Sequence, residues 1–186
     1  MATKKKVGIK VPTKNEILKK YGSMIIQASD TKEPGLWLPS TFFNLNYTLG
    51  GGFPWGKVTE IAGEESSGKS LIALNAAYAC QQLGGSVIWV DAEQSWMNSW
   101  AELNGIDPNK VTVIRDTRIE YISDAVADVA IYLRSQLVNN EPILLVVDSV
   151  AAIDCSDNID SKMVDGKAEM GGRAKALYRY FRIRSE

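Results

Sequence analysis

Eight consecutive residues, Gly63-Glu64-Glu65-Ser66-Ser67-Gly68-Lys69-Ser70, have the types and spacing of a phosphate cradle, G-x-x-x-x-G-K-[ST]. Glycines let the backbone wrap closely and point its N–H groups at phosphate oxygens. A lysine at the position of Lys69 reaches β- and γ-phosphates, and a hydroxyl at Ser70 holds Mg²⁺. The flanking elements suit this chemistry. An apolar strand is predicted over residues 58–62 and a helix over 71–79, with Leu71 at its start counted with the binding loop. The N-terminus of that helix adds partial positive charge.

Two carboxylates complete the set. Leu144-Leu145-Val146-Val147-Asp148 places an Asp at the end of a buried strand, where it supports the Mg²⁺ shell through water. Hydrolysis of a triphosphate also needs a group that orients and deprotonates water. Glu93 stands at the end of the strand after the loop's helix and is the first candidate; Asp91 is its rival. A carboxylate favoured by a helix start is the plainer account of Glu93. Trp96 and Trp100, four residues apart, are expected to share a helix face. Either ring could stack on adenine, although simple core packing is the stronger reading from residue type alone.

The rest of the chain is read as support for these residues. At 186 residues, with 45% hydrophobic and 23% charged residues, it has the composition of an ordinary globular domain. Its net charge of −1 hides an asymmetry. Residues 1–20 carry seven Lys against one Glu, residues 173–186 five basic residues against one Glu, and residues 21–172 stand at −11. Basic ends on an acidic body suggest anionic partners; a Lys-rich disordered tail is the equal alternative for the N-terminus. Cys80 and Cys155 lack metal-ligand spacing and the chain has no His, so both are expected to be inert thiols in a reducing compartment. No run is long and apolar enough for a membrane span and no signal peptide is visible; a soluble, cytoplasmic protein is expected.

Residues 1–12 read as a basic arm. Thr13 and Glu16 form a capping-box pattern ahead of a helix carrying Ile17, Leu18, Tyr21, Met24, Ile25 and Ala28, with Gly22 as a weak point. Residues 30–40 read as a linker or extended segment, 42–49 as a short helix, and 50–56 as a tight turn into the first core strand. Strands are expected over 86–90, 111–114 and 143–148, and helices over 96–104 and 119–137. This alternation implies a doubly wound α/β sheet. Residues 154–168 are acidic and expected to be mobile. Met170, Ala174, Leu177 and Phe181 then form the apolar stripe of a final helix, with Lys175, Arg179 and Arg182 on another face.

Together these motifs resemble the RecA family of DNA recombinases. The likeness rests on residues 63–70, Val90-Asp91-Ala92-Glu93, and Val146-Val147-Asp148-Ser149-Val150-Ala151-Ala152, with 49–61 and Leu103-Asn104-Gly105-Ile106-Asp107 beside them. It runs collinearly over residues 38–182. It implies a P-loop ATPase core of RecA type, with a mostly parallel sheet flanked by helices and a short N-terminal helical arm. The expected organisation is an arm over 1–36, an oligomerisation element, and an ATPase core over 37–186. The resemblance implies ATP and Mg²⁺ as cofactors, with Gly63 to Leu71 at the triphosphate, Ser70 and Asp148 at Mg²⁺, Glu93 activating water and Trp100 stacking on adenine. It places Gly171, Gly172 and Arg173, with Lys175 and Arg179 after them, at the first DNA-binding loop and its helix. A solvated basic face is the equal alternative for these cations. Implied partners are single-stranded and duplex DNA and further copies of the chain, in a helical filament or ring that exchanges homologous strands during recombination and repair.

The sequence also departs from the family pattern. Glu64 replaces a common Pro, and the stretch from Asp154 to Asp165 is more acidic than a DNA-facing surface favours. The family core continues beyond the position of Glu186 with further strands, a γ-phosphate sensor and a second DNA loop. The core is therefore expected to be C-terminally incomplete, whether as a fragment, with a second chain completing it, or as a short paralogue. Two other functions stay open: a nucleotide-binding regulator of a recombinase without strand exchange, and a helicase built on the same motor core.

Overall fold

A computed structural model of the chain describes residues 12–24 and 36–156. They belong to two separate units, divided after Gly35. In the first, helix α1 spans Lys14–Tyr21. The expected capping box is formed: the Glu16 N–H donates to Thr13 Oγ1 at 3.3 Å, and the Thr13 N–H donates to Glu16 Oε2 at 2.8 Å. The helix ends at Tyr21, earlier than the apolar spacing predicts. Gly22 takes φ +49°, which an L side chain rarely adopts, and a 3₁₀ turn follows over Gly22–Met24. No residue of α1 is buried.

The second unit opens with a two-stranded ribbon, β1 (Trp37–Leu38) against β2 (Phe53–Pro54), with helix α2 (Phe43–Leu49) between them. Both short strands fall inside segments read from sequence as linker and turn. Gly52 makes the ribbon possible: at φ +131°, a Cβ there would meet the Leu38 carbonyl oxygen at 2.3 Å. Helix α3 (Lys69–Gln82) and strand β3 (Ser86–Asp91) follow. Then come helix α4 (Asn98–Leu103), strand β4 (Val111–Ile114), helix α5 (Ile119–Gln136) and strand β5 (Ile143–Asp148).

The three longer strands form one parallel sheet in the order β4-β3-β5. Alternation along β3 divides the core. Val87 and Trp89 face α3, together with Leu74, Ala77 and Cys80, whereas Ile88 and Val90 face α5, together with Ile122 and Val126. Covered on both faces, β3 reads as a continuous apolar run, and its neighbours share that character. This is the doubly wound α/β arrangement that the sequence implies. Truncating Ile122 or Val126, both essentially inaccessible, removes packing worth roughly 1–5 kcal/mol.

Three expectations need correction. Residues 58–62 do not form a strand. A strand needs a neighbour for its N–H and C=O groups, β5 pairs only with β3 among the described residues, and Val58 is 62% exposed. The helix expected from Trp96 starts at Asn98, because Met97 before it is extended, at φ −129° and ψ 125°. The acidic stretch expected to be mobile from residue 154 is pinned at its beginning. The Asp154 N–H donates to the Thr117 carbonyl at 2.8 Å, the Ile119 N–H donates to the Asp154 carbonyl at 2.9 Å, and Ile153 and Cys155 are buried. The final helix and its cations lie outside the described residues, as do residues 1–11 of the basic arm and Ile25 and Ala28 of the first helix.

Candidate functional site

Register sets the site. Asp91 and Asp148 are partners at the C-terminal ends of β3 and β5, the edge of a parallel sheet at which α/β folds bind ligands. The Ala92 N–H donates to the Asp148 carbonyl at 3.1 Å, so the turn carrying Glu93 is tied to the end of β5.

The loop over 63–68 turns into α3 through Gly68 at φ +90° and Ser66 at φ +59°. Gly68 is the N-cap and no side chain caps the first turn, which leaves that end of the helix to an anion. The Lys69 ammonium donates to the carbonyl oxygens of Gly63 at 3.1 Å and Glu64 at 2.6 Å. A phosphate oxygen is a stronger, charged acceptor for the same group. Ser70 Oγ donates to Asp148 Oδ2 at 2.7 Å, across 78 residues of chain. An alcohol and a carboxylate side by side at a helix start are the oxygen donors that a small, hard cation takes, with water and phosphate completing its shell. Glu64 and Glu65 are exposed.

The two candidate bases are in opposite circumstances. Asp91 is inaccessible, and its carboxylate is consumed by the adjoining turn. Oδ1 accepts the Ser95 N–H at 2.8 Å, while Oδ2 accepts the Trp96 N–H at 3.1 Å and Arg115 Nε at 3.3 Å. Glu93 is exposed at the sheet edge, and its Oε1 accepts a hydrogen bond from the Ser149 hydroxyl. The tryptophans separate in the same way. Trp96 is half-buried, packs on Trp89 with ring centroids 5.0 Å apart, and donates its indole N–H to Asn98 at 2.8 Å. Trp100, on α4, is 45% exposed.

Burial pushes the Cys80 thiol up to about 11, which makes it the inert group its sequence context suggests. The Arg118 guanidinium, hydrogen-bonded to Asp116, holds that carboxyl down at about 2. Of two further members of the constellation, Arg115 is not singled out from sequence and Ser149 enters only as part of the family motif. Arg115 follows β4 and reaches Asp91 on β3; Ser149 follows Asp148 and reaches Glu93. The pairing of neighbouring strand ends is the signal that links each pair. Gly171, Gly172, Arg173, Lys175 and Arg179 lie outside the described residues.

A family model described as the RecA N-terminal domain matches residues 10–183. The chain belongs to the RecA family. It is similar to Protein RecA of Malacoplasma penetrans, with 36% identity over 169 residues, 90% of this chain and 48% of that protein. Protein RecA of Nitratidesulfovibrio vulgaris is 33% identical over 164 residues, 87% of this chain and 43% of that protein. Protein RecA of Bacteroides thetaiotaomicron is 30% identical over 177 residues, 93% of this chain and 51% of that protein. The chain thus spans about half the length of these RecA relatives. The parallel α/β sheet is that of a RecA-type core. Among the described residues no helix is long and apolar enough to cross a membrane.

Proposed function

We propose that this chain is the ATP-binding part of a DNA recombinase, one that forms helical filaments on single-stranded DNA and promotes homologous strand exchange in recombination and repair. The observation that carries the reading is the meeting of Ser70, Asp148 and Glu93 at one sheet edge beside the phosphate loop. Residues 63–71 bind the triphosphate. Lys69 leaves its two loop carbonyls for the β- and γ-phosphates and offsets the charge that develops there. Trp100 takes the adenine ring on its open face. Ser70 and Asp148 hold Mg²⁺, which neutralises phosphate charge when bound. Glu93 orients a water in line with the γ-phosphorus: the new O–P bond forms, the bridging P–O bond breaks with its electron pair leaving on the β-phosphate oxygen of ADP, and the water's proton goes to the Glu93 carboxylate.

A cytoplasmic location and contacts with duplex as well as single-stranded DNA go with this reading. Residues 1–36 serve as the oligomerisation element and residues 37–186 as the ATPase core. In α1 the apolar side chains of Leu18 and Tyr21 are about two-fifths exposed, as a helix that docks on another copy requires. The basic residues Arg173, Lys175 and Arg179, after Gly171 and Gly172, contact DNA.

Fluorescent-ADP binding and labelled single-stranded DNA binding test the proposal together. The chain is expected to bind nucleotide in the presence of Mg²⁺, and Lys69→Ala to lower that affinity by about 10²-fold or more. DNA binding should strengthen with ATP and weaken steeply with salt. Nucleotide binding without any DNA binding at low salt would favour a regulator over a recombinase.

A further inference from the structure

We propose that Ser149 is the positioning residue for Glu93, fixing the carboxylate so that one oxygen is held and the other takes the proton of the attacking water. This rests on the reading of Glu93 as the water-activating base. The Ser149 hydroxyl donates to Glu93 Oε1, and this is the one hydrogen bond to that carboxylate among the described residues. A glutamate on an exposed turn otherwise has three rotatable side-chain torsions to restrict before it can act. Donation to Oε1 restricts them and leaves Oε2 as the acceptor for a water proton.

Ser149 can do this because it is itself held on both sides. Before it, Asp148 closes the ladder with β3 in register with Asp91, and the Asp148 carbonyl accepts the Ala92 N–H at 3.1 Å. After it, the Ser149 carbonyl accepts the Ala152 N–H at 3.2 Å and opens the 3₁₀ turn Val150–Ala152. That turn ends at Ile153, which is 2% exposed, and the chain is then pinned to Thr117 and Ile119 through Asp154. The two turns, 91–94 and 148–152, are therefore joined by a backbone bond and a side-chain bond. The side-chain bond lies next to the Ser70–Asp148 contact, so one short segment sets both the Asp148 carboxylate and the base.

Steady-state ATP hydrolysis by the full chain, with fluorescent-ADP binding measured alongside, tests this. Ser149→Ala is expected to lower kcat about tenfold while KM and ADP affinity stay within about twofold, the pattern of a lost constraint on the chemical step. Ser149→Thr, which keeps the hydroxyl, should recover most of the loss. On a Glu93→Gln background, Ser149→Ala should cause less than about a twofold further loss, because a residue acting through Glu93 has nothing left to position. Equal losses on both backgrounds, a parallel fall in ADP affinity, or an unchanged kcat in the wild-type background would overturn the role of Ser149. Equal turnover by Glu93→Gln and the wild-type chain would instead remove the base role of Glu93, and this inference with it.

Discussion

Asp91 and Asp148 sit side by side, in register, at the ends of adjacent parallel strands. They have the same side chain and the same strand-end address, yet their surroundings differ. The end of β3 is closed: Asp91 is inaccessible and its oxygens serve two backbone N–H groups and Arg115. The end of β5 is open enough that Asp148 meets a serine hydroxyl at the head of α3. A carboxylate saturated by its own turn builds the scaffold, and one facing a helix start beside a phosphate loop is left for ligand chemistry.

Exchanging each for Asn should pull the two ends apart. Asp148→Asn is expected to lower Mg²⁺-dependent ATP turnover by about 10²–10³-fold while changing the thermal midpoint little, measured by coupled assay and calorimetry. Asp91→Asn is expected to cost roughly 2–4 kcal/mol of stability in denaturant titrations, since its charge-assisted bonds would be lost and donors left poorly matched. A large stability loss from Asp148→Asn, with Asp91→Asn innocuous, would reverse the assignment.

The tryptophans carry the comparison further out. Trp100→Ala should weaken nucleotide binding by about 1–2 kcal/mol, read by fluorescent-ADP titration, and leave stability nearly unchanged. Trp96, packed on Trp89, belongs to the scaffold.

The smallest effect belongs to Asp116, which is paired with Arg118 at the surface. Its folded-state pKa is depressed from 3.8 to about 2, so the contribution is present above about pH 4 and is lost as pH falls through about 2. Discounted for solvent screening, Asp116→Asn should cost no more than about 1 kcal/mol at pH 7 and nothing below pH 2, measured by pH-dependent unfolding.

Sequence carried the strands best where burial decides them. Residues 111–114 and 143–148 are assigned correctly to the residue, because apolar runs covered by helices leave little choice. Residues 58–62 were not legible, because strand formation depends on a partner that composition does not specify. Residue type marks Asp91 and Glu93 as candidate carboxylates but not the partners that set them apart, since Arg115 and Ser149 arrive from neighbouring strands only once register is fixed. Likewise, spacing of four put Trp96 and Trp100 on one helix face. Met97 is extended, α4 begins at Asn98, and the shared face does not exist.

Glu93, and not its buried neighbour Asp91, is the residue proposed to activate water at the phosphate loop. Single-turnover ATP hydrolysis by Glu93→Gln, with nucleotide affinity measured on the same sample, tests it most directly. The expected result is hydrolysis slowed by about 10²–10⁴-fold with affinity held within about threefold. Hydrolysis at the wild-type rate in that variant would show that another group activates the water.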